Sequence, residues 1–69
     1  MNLTPHQIAV RHLATEAEYI NRLLRTRDLS RAKARAMLGD AAISAAKSAG
    51  EALTIRFGVD AGRAWFTVL

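Results

Sequence analysis

The sequence predicts a mainly helical fold closed by a C-terminal β-hairpin. A helical hairpin spans about residues 4–25 and 29–49, and two short strands follow at about 53–58 and 63–68. Three observations carry this. Apolar residues recur with a period of about 3.6 from Pro5 to Arg25. Small residues then recur at four-residue spacing from Ala32 to Ala49, and after Gly50 the pattern alternates with a period of two.

The first helix has a well-marked start. In Thr4-Pro5-His6-Gln7, Thr4 is an N-cap, Pro5 sits where its missing N–H costs nothing, and Gln7 is placed for a reciprocal capping box. Helical projection places Ala9, Leu13, Ala17, Ile20 and Leu24 on one side, with Ile8, Tyr19 and Leu23 flanking them. Arg11, Thr15, Glu18, Arg22 and Arg25 lie opposite, so the helix is amphipathic.

A tight turn around 25–29 leads to the second helix, for which Thr26, Asp28 and Ser30 are all competent N-caps. Gly50 fits its left-handed C-cap. Gly39-Asp40 interrupts the run: an interior glycine costs about 1 kcal/mol relative to alanine. Asp40 can cap a fresh helix over 41–49, so a kink or break at Gly39 is one expectation. The alanine rows Ala34-Leu38-Ala42-Ala46 and Ala41-Ala45-Ala49 express either high helix propensity or a closely packed helix pair.

Beyond Gly50, Leu53, Ile55 and Phe57 alternate with Thr54, Arg56 and Gly58, and Ala64, Phe66 and Val68 alternate with Arg63, Trp65 and Thr67. A four-residue loop from Val59 to Gly62 pairs Ile55 with Phe66 and Leu53 with Val68 on one face, and Arg56 with Trp65 on the other. A two-residue Ala61-Gly62 turn keeps the faces but shifts the pairs, and is disfavoured because alanine resists positive φ. A lone hairpin is marginal in water. It must lie on the helices, or pair through an edge with a second copy into a four-stranded sheet.

The 69 residues suit one domain, residues 1–69, and a chain this short buries only roughly 60% of its unfolded surface. With no cysteine there is neither a disulfide nor a thiolate zinc site to add stability. The apolar inventory is alanine-heavy, with only Tyr19, Phe57, Trp65 and Phe66 as aromatics, and a homodimer is the expected remedy. MNLTPHQ lacks the features of a signal peptide and no stretch is apolar enough to span a bilayer, so a soluble cytoplasmic protein without membrane partners is expected.

Enzymatic constellations are nearly absent: two histidines and six scattered carboxylates do not assemble a nucleophile, base and orienter. No glycine-rich phosphate loop is present, and no cofactor is implied. His12 and Glu16, one helical turn apart with Tyr19 beyond, resemble half a metal site; a polar patch at a helix or dimer seam suits them better.

The charge is local. Six of the ten basic residues fall between Arg22 and Arg35, against the single carboxylate Asp28. A pI near 10.8 points to an anionic partner. The cluster admits three readings: a solvated face, a phosphate-binding surface, or a surface for an acidic face on another protein. No helix-turn-helix pattern fits, since Arg35 stands where that motif needs a small residue. The expected partner-binding set is therefore Tyr19, Arg22, Arg25, Arg31, Arg35 and Trp65, with arginines supplying charge and the aromatics supplying anchors. Trp65, on the outward hairpin face beside Arg56, either covers the helices, makes a cation–π pair or marks a contact surface. The alternative function is a small basic nucleic-acid-binding regulator using the same arginines.

In its alanine- and arginine-rich character, its length and its one-module build, the chain resembles the small accessory proteins of Pseudomonas phages that bind and disable host proteins. Among these it is most similar to the quorum-sensing anti-activators of transposable phages. The resemblance implies a non-enzymatic inhibitor in the host cytoplasm. Its partner would be a LuxR-type transcription activator, and the pilus assembly ATPase would be a second target. No individual residue role follows from it.

Overall fold

The computed structural model describes residues 2–69 and has the expected architecture. Helices α1 (Pro5–Arg25) and α2 (Arg31–Ala49) precede strands β1 (Ile55–Asp60) and β2 (Arg63–Val68), which form a two-stranded antiparallel sheet.

The capping box at the start of α1 is complete. Thr4 Oγ1 accepts from the Gln7 N–H at 3.1 Å, and Gln7 Oε1 accepts from the Thr4 N–H at 2.9 Å. At the other end, Arg27 N–H donates to the Leu24 carbonyl and Asp28 N–H to the Leu23 carbonyl. These two bonds form a Schellman closure, whose left-handed position glycine usually fills. Here Arg27 occupies it with φ 59°. Ser30 caps α2, its Oγ accepting from the Lys33 N–H at 3.1 Å, and Gly50 ends the helix at φ 75°.

Helix α2 runs unbroken through Gly39. A Cβ at that position would stand 3.4 Å from Phe57 Cζ, so the glycine is where the β1 aromatic ring rests on the helix. The helix tolerates the glycine because packing, not local propensity, holds it.

The favoured hairpin register is corrected. The turn is the two-residue Ala61-Gly62 form, with Ala61 at φ 52° and Gly62 at φ 73°, and β1 extends to Asp60. The inward pairs are Ile55 with Val68, Phe57 with Phe66 and Val59 with Ala64, and Trp65 stands opposite Gly58, not Arg56. Two positive φ values give a turn whose twist matches the strands, which outweighs the strain on one alanine. Gly58 adds a second reason: a Cβ there would lie 2.9 Å from Trp65 Cζ2, so only glycine admits the indole across the strand.

Each strand is tied to one helix. On β2, Asn21 and His6 of α1 reach the backbone of Ala64 and Val68. On β1, Arg31 of α2 reaches the Val59 carbonyl. The hairpin thus lies on its own helices, the first of the two arrangements the sequence left open. Between the layers, Leu13, Ile20, Leu38 and Val59 are fully buried. Six of the eleven buried core residues are alanines (Ala9, Ala17, Ala34, Ala41, Ala45 and Ala64), so little apolar area is available per contact. Among the described residues, no helix is long and apolar enough to cross a membrane.

Candidate interaction surface

The helical hairpin brings the last turn of α1, the 26–30 loop and the first turn of α2 to one end of the molecule, and the β-turn joins them there. Arg25 and Arg63, far apart in the chain, line a notch of about 140 Å³ together with Asn21 and Gly62. Neither arginine has an ion-pair partner among the described residues. Arg22 approaches the Glu18 carboxylate at 3.9 Å, an exposed pair of the weak kind.

Two of the expected contact arginines also serve the fold. Arg31 Nε donates to the Val59 carbonyl at 2.8 Å, and its Nη2 lies 3.7 Å from Asp60 Oδ1, although most of the side chain stays exposed. Arg35 places its guanidinium 5.7 Å from the centre of the Phe57 ring, a cation–π distance. Arg22, Arg25, Arg27 and Lys33 are exposed, and Arg63 adds a cation from the hairpin.

The arrangement does not favour helix stability throughout. Arg22 and Arg25 at the C-terminal end of α1 suit its dipole, but the first turn of α2 holds Arg31 and Lys33 with no acidic residue. Cations at the positive end of a helix cost a few tenths of a kcal/mol each, and a ligand anion would relieve that cost.

The aromatic candidates stand on different elements. Tyr19 is 48% exposed on α1. Trp65 is 42% exposed on the outer hairpin face, where its Nε1 donates to Asp60 Oδ2 at 2.6 Å. The cation–π pair belongs to Arg35 and Phe57, and Trp65 takes a carboxylate instead.

No protein-family model, curated protein or solved structure matches this chain. The surface is therefore read from its own chemistry. His12 and Glu16 line a groove between the helices with Met37, Asp40, Ala41 and Ser44. No three metal-ligating side chains converge among the described residues.

Three contributors were not singled out from the sequence. Arg63 reaches the basic end only through the tighter turn. Asp60 holds Trp65 only once β1 extends past Val59. Asn21, a polar residue at the edge of the apolar arc of α1, carried a faint signal, since such a residue often bonds to a neighbouring element.

Proposed function

We propose that this is a small non-enzymatic interaction protein whose basic end docks on an acidic face of another protein. The supporting observation is the convergence of Arg25 with Arg63 around the notch, with Arg22 three residues before Arg25 on the same helix, all exposed and with little internal charge to neutralise them. Arginine is suited to this because its planar donors meet carboxylates in pairs. Tyr19, three residues before Arg22 on the same helix, would supply an exposed aromatic anchor. Binding alone would inhibit, and the phage-inhibitor resemblance makes a host transcription activator of the LuxR type the partner class.

The test is capture from host lysate by the wild-type chain beside an R22A/R25A variant. Both arginines are exposed and, among the described residues, neither side chain hydrogen-bonds to the hairpin, so the variant is expected to keep the fold. A partner held by the wild type and lost by the variant supports the reading. A partner held equally by both overturns it.

Self-association belongs to the same proposal, because a core dominated by alanine leaves this chain little stability of its own. Sedimentation at micromolar concentration is expected to show a dimer, and a monomer alone would refute that part.

A further inference from the structure

The hairpin also presents an outer face on which Arg56, Asp60, Arg63, Trp65 and Thr67 are exposed. Side chains alternate across strands, so the observed register places Arg56, Gly58 and Asp60 of β1 there beside Thr67, Trp65 and Arg63 of β2. The indole is not a loose surface aromatic. Its Nε1, Cε2 and Cζ2 edge lies against Gly58, where a Cβ would fall at 2.9–3.0 Å, and Nε1 is bound to Asp60 at 2.6 Å. Gly58 is buried beneath it, while 42% of the residue stays open.

The surroundings of that ring are cationic. Arg56 stands two residues before Gly58 on one strand and Arg63 two residues before Trp65 on the other, so an arginine flanks the indole on each strand. The one carboxylate of this face, Asp60, is occupied by the indole N–H and lies near Arg31.

We infer that this face holds an unpaired base of a single-stranded nucleic acid, stacked on the open side of Trp65, with Arg56 and Arg63 taking the adjacent phosphates. A fixed aromatic ring between cations matches a strand in which planar bases alternate with charged phosphates. A protein partner fits this face less well, because Trp65 is its only large apolar side chain, too little for the buried apolar centre such interfaces need. A duplex fits less well still, since its bases expose no π face. Stacking is indifferent to base identity, so little sequence preference is expected.

The inference does not rest on the protein-docking reading: the two share Arg63, and the docking reading is tested at Arg22 and Arg25 while this one is tested at Trp65 and Arg56. Trp65 is the only tryptophan in the chain, so its fluorescence reports on this face alone. The experiment titrates the full chain at low salt with oligothymidylate of about 12 nucleotides, within the range of single-strand sites. Oligoglutamate and a blunt duplex of the same length run alongside.

Saturable quenching by oligothymidylate, weakening as salt rises and absent with oligoglutamate, is the expected result. By anisotropy of a labelled oligonucleotide, W65L, which keeps an apolar cover on Gly58 without a π face, is expected to bind at least about five-fold more weakly. R56A is expected to bind more weakly and to lower the salt slope by about one. Should W65L fail to melt cooperatively, R56A and the wild-type quenching decide the matter. No quenching, equal quenching by oligoglutamate, equal binding to the duplex, or unchanged binding by folded W65L would each overturn the inference. None of these outcomes bears on capture through Arg22 and Arg25.

Discussion

Asn21 on α1 grips Ala64 on β2 at both of its backbone groups. Its Oδ1 accepts the Ala64 N–H at 2.6 Å and its Nδ2 donates to the Ala64 carbonyl at 3.1 Å. One side-chain amide thus does for this point of β2 what a neighbouring strand would do.

Removing that amide is the most informative single change to the fold. Asn21→Ala leaves a part-buried N–H and carbonyl unpaired, and each lost partner costs about 1 kcal/mol or more. A loss of about 2–3 kcal/mol is expected in chemical denaturation. A loss below about 0.5 kcal/mol, the range of ordinary surface changes, would show that water replaces the amide.

The hairpin turn can be improved. Ala61 sits at φ 52° before Gly62 at φ 73°, where asparagine followed by glycine is the favoured pair. Ala61→Asn is expected to stabilise the chain by about 0.5–1 kcal/mol, since a left-handed alanine costs roughly 1–2 kcal/mol. Thermal melting checks this, and an unchanged or lowered Tm would mean that the strain is relieved elsewhere.

Gly39 separates two effects. A methyl group there would meet Phe57 at 3.4 Å, an ordinary contact, while alanine gains about 1 kcal/mol of helix propensity. Gly39→Ala is therefore expected to raise stability by up to about 1 kcal/mol. Gly39→Leu is expected to lower it by displacing the ring, at a cost of about 1–3 kcal/mol typical of overpacking. If both variants lose stability alike, the ring has no room even for a methyl.

The basic end should be separable from folding. Arg22→Ala with Arg25→Ala removes two exposed cations at the end of α1, where each contributes about 0.3–1 kcal/mol through the helix dipole. Tm is expected to fall by several degrees, with the transition still cooperative, while partner capture is lost. A large drop in Tm would instead mark these arginines as structural.

Much of the fold could be read from local chemistry. Thr4 and Gln7, Ser30 and Gly50 each carry their cap in residue type alone, and the inward set Ile55, Phe57, Ala64, Phe66 and Val68 follows from alternation. Less legible was whatever depended on two distant residues meeting. The register is decided by Trp65 lying on Gly58, and the unbroken α2 by Phe57 lying on Gly39. Neither glycine announces its partner in sequence, and each looks like punctuation. The same holds for the surface: the charge between Arg22 and Arg35 is plain, but Arg31 and Arg35 are drawn partly into the hairpin while Arg63 is delivered to the cluster.

The way α1 holds β2 also bears on how the protein behaves when crowded. The segment Ala64-Trp65-Phe66-Thr67-Val68-Leu69 is uncharged, aromatic and β-branched, the composition from which cross-β fibrils grow. Fibril growth needs a free strand flank on which another chain can add its hydrogen bonds. On β2 that flank is occupied at Ala64 by Asn21 and at Val68 by His6, whose Nε2 donates to the carbonyl at 2.9 Å. These two polar side chains of a helix therefore act as gatekeepers for a strand distant from them in sequence. Their loss would open this flank of an uncharged strand to pairing with another chain.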